Sequence, residues 1–124
     1  MSITKLNKGK KFSFQYNKDN VKFFKLSEFV NTFGLGRVFT CRSAHIKRDG
    51  KYGDSSTLIV TDDNGNVFGV NCPAHMNDVI DTIINTTEYI DDFDNQRAGV
   101  KAYEYTDRDG NKRYSLEFVE LTNK

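Results

Sequence analysis

Between Gly36 and Leu121 the chain is a succession of short β-prone runs separated by turn sequences and interrupted once by a helical period, and that order restricts the folds open to it. Arg37 to Lys47 is rich in Val, Phe, Thr and Ile and long enough to bend across two sheet surfaces. A polar loop with Gly50 and Gly53 leads to a second strand, Thr57–Thr61. Asp62-Asp63-Asn64-Gly65 is a hairpin turn whose Asn-Gly tolerates positive φ, and Asn66–Asn71 returns from it. Pro73 marks a helix start, after which Met76, Val79, Ile80, Ile83 and Ile84 recur as one apolar stripe. Val100–Thr106 and Lys112–Leu121 then form a final hairpin through Asp107-Arg108-Asp109-Gly110-Asn111.

The predicted order is therefore β-β-β-α-β-β. A mainly β OB-fold has this order: a five-stranded Greek-key barrel with one helix between strands 3 and 4, largely closed on itself so that few edges stay exposed. SH3-like barrels have five strands but no helix of this size at that point. Residues 36–124 are assigned to the barrel and 1–35 to an N-terminal extension. In the extension, Phe12, Phe14 and Tyr16 alternate with polar residues as in a strand, 17–20 read as a turn, and Val21–Leu26 as a second short strand. Ser27 is positioned to cap a single helical turn through Phe29 and Val30 before Gly34 and Gly36 break it.

A formal net charge of +1 conceals a polarised chain. Residues 1–52 hold twelve Lys/Arg against three acids, and the remaining 72 hold six against fourteen, with the acids densest from Asp78 to Asp94. Such a molecule can offer a cationic face to a polyanion, or its two faces can simply attract each other. Mean hydropathy is −0.63, and no apolar run approaches the ~20 residues of a membrane span. The first five residues do not read as a signal peptide, and the chain reads as cytosolic.

OB-folds bind oligonucleotides or oligosaccharides on the face of strands 2 and 3 and through the loops joining strands 1–2 and 4–5. Here the first loop holds Lys47, Arg48, Lys51 and Tyr52 together with Gly50 and Gly53, and the second runs through Tyr105, Arg108, Lys112, Arg113 and Tyr114. Cations along phosphates and flat rings against unstacked bases are what a single-stranded nucleic acid requires. Strand four sets Lys101, Tyr103 and Tyr105 on one face, and a bend in strand one would turn Arg42 outward alongside Arg37 and Lys47. The nucleic-acid-binding candidates are thus Arg37, Arg42, Lys47, Arg48, Lys51, Tyr52, Lys101, Tyr103, Tyr105, Arg108, Lys112 and Arg113, with both loops expected at one barrel mouth. Core or subunit packing is the competing role for the tyrosines.

Cys41-x3-His45 and Cys72-x2-His75 suggest zinc, but four strand residues span about 13 Å and cannot easily bring two ligands to one ion, so no metal is expected. The cysteines read as buried thiols. Asp62-x-Asn64-Gly65 and Asp107-x-Asp109-Gly110 lack the spacing of calcium loops and read as turns. No Walker loop, nucleophile elbow or His-Glu-x-x-His occurs, and no enzyme is expected.

The Lys47–Gly53 loop, the passage Val70-Asn71-Cys72-Pro73-Ala74-His75 into the helix, Ala98-Gly99-Val100 and the Tyr114–Leu121 ending together resemble bacteriophage single-stranded DNA-binding proteins of the OB type, from phages infecting lactococci. The resemblance covers roughly residues 36–121. It implies a homo-oligomer, dimer or tetramer, that coats single-stranded DNA in the host cytoplasm during replication and recombination, without sequence preference or cofactor and with replication or recombination proteins as further partners. The chain departs from bacterial relatives in having no Trp and no acidic C-terminal tail. The rival reading is a phage accessory protein-protein interaction module using the same barrel surface, with the acidic 78–94 stretch engaging a basic partner.

Overall fold

A computed structural model describes residues 12–50 and 53–121. It is mainly β, with strands β1 (Lys22–Phe24), β2 (Phe39–Gly50), β3 (Gly53–Thr61), β4 (Val67–Asn71), β5 (Ala98–Thr106) and β6 (Lys112–Glu120). Helix α1 (Leu26–Phe33) follows β1, and α2 (Asn77–Ile84) and α3 (Thr87–Asp94) lie between β4 and β5. The six strands make one sheet in the order β1-β4-β3-β2-β5-β6, curled into a half-barrel. No helix among the described residues is long and apolar enough to cross a membrane.

The curl originates in β2. Its first residues pair with β5 (Phe39 with Val100, Thr40 with Gly99), while its length from Thr40 to Lys47 pairs with β3. The register shifts between Cys41 and Ser43, so Arg42 is the extra residue of a bulge that bends the strand. Around this bend Cys41, Ser43 and Ala44 are all buried, closing a core with Leu58, Val60, Val70, Ile80 and Leu116. Phe24, Phe29, Phe33, Phe39 and Phe68 cluster at its end, with ring centroids 4.9 to 6.3 Å apart. Edge-on and tilted contacts of this kind add to the area term of burial.

The strands and turns from residue 39 onward follow the sequence pattern, whereas four details differ. First, the sheet has six strands rather than five. β1 pairs in parallel with β4 (Phe23 opposite Gly69), and Phe24 carries it into the core. A side chain at Gly69 would run into the Phe23 ring, its Cβ 2.3 Å from the nearest ring carbon, so the missing side chain lets β1 lie close. Secondly, residues 12–16 are not a strand. Phe12, Phe14 and Tyr16 are half-buried and Ser13 and Gln15 exposed, so the period of two is real, but it belongs to a strap with no backbone ladder. Thirdly, α1 runs a full eight residues from Leu26, with Ser27 inside it, and the backbone N–H of Lys25 donates to Glu28 Oε1 at 3.0 Å. Fourthly, the single expected helix is a 3-10 turn (Ala74–Met76) followed by α2, and α3 is a further helix over the acidic stretch. The acidic stretch is helical because Ile90 and Phe93 fall three apart and are buried at 2% and 3% exposure.

The two predicted turns are built alike. Asp62 Oδ1 accepts the backbone N–H groups of Asn64 and Asn66, and Asp107 Oδ1 those of Asp109 and Asn111, each at 2.9 Å. Gly65 and Gly110 both sit at φ 82°.

Candidate nucleic-acid interface

Strand pairing gathers the aromatic candidates. Tyr103 lies opposite Ser115 and Tyr105 opposite Arg113, so these side chains share a face. Tyr103 is 39% and Tyr105 37% exposed, their rings 6.1 Å apart at 43°. His75, from the turn after β4, meets Tyr105 edge-on at 6.5 Å and bonds through Nε2 to the buried Ser115 hydroxyl at 2.9 Å. Tyr105 is thereby braced on one side by an element thirty residues away, and its outer face stays open.

Beside this pair lies a cleft of about 610 Å³. Lys25 and Ser27 contribute from the start of α1, Asn71 and His75 from the end of β4 and its turn, and Tyr105, Lys112, Arg113 and Tyr114 from the β5–β6 hairpin. Three cations and three rings therefore surround one space. Arg113 donates through Nε to Asp107 Oδ2 at 3.0 Å, and Lys112 lies 3.9 Å from Glu104. Both pairs are exposed, and such pairs contribute at most about 1 kcal/mol, so an arriving phosphate can compete for them. The Arg113 hydrogen bond, followed by that from the Asn111 backbone, holds the Asp107 carboxyl below the usual aspartate value.

The other candidates are dispersed. β2 and β5 are antiparallel and meet only at their first residues, so their tips, Gly50–Gly53 and Thr106–Lys112, point to opposite ends. The expected convergence of the two basic loops is thus not what the pairing produces. Lys47 and Arg48 stand at the far tip, where Arg48 is held by Asp54 at 3.0 Å and by Asp81. Lys51 and Tyr52 lie outside the described residues. Arg37 stacks over Phe33 and Phe39 at 5.3 and 5.0 Å, and Arg42 over Phe14 at 4.2 Å with its Nε buried and unpaired. Arg42 is thus turned out by the bulge as expected, but under the strap. Lys101 shares the tyrosine face and lies 3.8 Å from Glu117, and Arg108 is exposed at the near tip.

Lys25, Ser27, Asn71 and His75 were not among the sequence candidates. Asn71 and His75 stand out in the sequence only in the passage into the helix and in a zinc motif, because what qualifies all four here is a seam between β4, α1 and β6 that exists only after folding. The motif residues have other partners: His45 Nε2 lies 2.8 Å from the Tyr16 hydroxyl, and Cys41 is fully buried. Burial pushes the Cys72 thiol up to about 12. Among the described residues no three His, Cys, Asp or Glu side chains are grouped to hold a metal ion. Comparison with family models, curated proteins and solved structures finds no match to this chain.

Proposed function

We propose that the protein binds single-stranded DNA across Tyr103 and Tyr105 and into the cleft between α1 and the β5–β6 hairpin. The observation that carries this reading is two adjacent, exposed tyrosine rings beside a space lined by Lys25, Lys112 and Arg113. Successive rings suit successive bases, and cations on both walls of a cleft suit the phosphates between them. Sequence preference is not expected, because every base has a face to stack.

An OB-type reading of the half-barrel belongs with this proposal. Its support is that β2 is shared between β3 and β5 and that the main helices fall between β4 and β5. Strand β1 takes the outer edge of β4, where the last strand of a closed barrel would pair, and the open seam becomes the cleft. The resemblance to bacteriophage single-stranded DNA-binding proteins points the same way, towards a non-enzymatic, self-associating protein of replication or recombination. A protein-interaction module is the second reading, favoured by an apolar groove at the other end of β6, where Val79 and Tyr89 are each 45% exposed.

Fluorescence anisotropy with labelled oligo-dT, duplex and RNA oligonucleotides tests the proposal. Binding of the single strand well above the duplex, lost when Tyr103 and Tyr105 are both changed to Ala, is the expected outcome. No single-strand binding at low salt would overturn it.

A further inference from the structure

The apolar groove has a volume of about 500 Å³ and runs between α2, α3 and the end of β6. Val79, Ile83, Tyr89 and Phe93 line it from the helices and Val119 from the strand. Phe118, Val119 and Glu120 all border it, although successive strand residues face opposite ways, so the groove follows the outer edge of β6. Among the described residues no strand pairs with that edge. An unpaired edge beside apolar side chains is a place where folded proteins usually lay further chain.

We propose that this groove is the docking site of the chain's own first eleven residues, Met1–Lys11. The described chain begins in a neighbouring cleft, which Phe12 lines with Phe14, Tyr16 and Ile84. Phe12 packs on Phe93, a groove residue, at a centroid distance of 5.4 Å, and the Ser13 N–H donates to Asp94 Oδ1 at 2.8 Å. Phe12 and Ser13 thus stand at the last turn of α3, and eleven residues span at most about 36 to 40 Å, enough to reach the groove from there. Charge matches as well. Met1–Lys11 carries four lysines, no acid, and the apolar Ile3 and Leu6. Asp92 and Glu120 line the groove, exposed Asp78 and Glu88 adjoin its residues Val79 and Tyr89 in sequence, and the arginine in its lining, Arg97, is already bonded to Asp92 at 2.9 Å. Tethering raises the effective concentration of such a segment without any partner molecule. This inference is independent of the nucleic-acid reading.

The test places the photo-cross-linker p-benzoylphenylalanine at position 3 of the full chain, in an equal mixture of unlabelled and 15N-labelled protein, and maps links by mass spectrometry. The expected result is links between segments of one isotope to Val79, Tyr89 or Val119. Links joining the two isotopes would assign the groove to a second copy and overturn the proposal, as would links elsewhere or none. In Val79→Asp, a change at a half-open site, the groove links should fall about tenfold, because a carboxylate would be buried against an apolar segment. Unchanged links with an intact far-UV circular dichroism spectrum would also overturn it, and Tyr89→Ala serves the same comparison should Val79→Asp unfold.

Discussion

Tyr105 combines two properties that rarely coincide: one side of its ring is braced by His75, and the other is open. A braced ring loses little further freedom when a base stacks on it. Tyr105→Ala should therefore weaken oligo-dT binding about 5- to 150-fold, the equivalent of roughly 1 to 3 kcal/mol, whereas Tyr105→Phe should stay close to the parent in the same anisotropy titration. Asp107 works at the same scale. Its pKa is lowered from the ordinary 3.8 chiefly by Arg113, and that of Asp62 chiefly by the Asn66 side chain. A folded pKa below the unfolded one means stabilisation that is complete above the ordinary carboxylate value and lost as pH falls through the lowered one. Carboxyl NMR titrations should show both midpoints below 3.8, and Arg113→Gln should move that of Asp107 upward while leaving Asp62 in place.

At the scale of elements, β1 is the least obvious part of the sheet. It has three residues, yet Phe24 is 5% exposed and touches Phe29, Phe33 and Phe68 at centroid distances of 5.6 to 6.1 Å. Phe24→Ala should then cost about 3 to 5 kcal/mol of global stability in urea denaturation, the range for emptying a packed aromatic site. A value below about 1 kcal/mol would make β1 a peripheral arm. The short segment was legible as a strand because Val21, Phe23 and Phe24 are β-prone, but its partner was not, since nothing in three residues says which edge they will meet. α3 went unread for a related reason: Thr86-Thr87 and the acids obscure a helical repeat of only two buried residues, Ile90 and Phe93.

At the scale of the whole molecule, the antiparallel union of β2 and β5 separates the two basic tips, and carboxylates engage the cation at the far one. If the near cleft holds phosphates, Lys25, Lys112 and Arg113 should dominate the salt dependence. Changing all three to Gln should flatten the log–log slope of affinity against KCl by about 2, at about 0.7 per phosphate contact. Lys47→Gln with Arg48→Gln should leave that slope unaltered. Equal effects from both sets would place the strand across both tips instead.

Turn chemistry and local periodicity were enough to settle the hairpins, the alternation of faces that pairs Tyr103 with Tyr105, and the stripe of α2, because each depends on residues a few positions apart. Tertiary structure alone decided that Arg42 lies under the strap, that β1 takes the edge of β4, and that Lys25 and His75 stand beside Lys112 and Arg113. These outcomes turn on which surfaces meet across tens of residues, and a cation's partner, phosphate or carboxylate, is set by that meeting rather than by the residue itself.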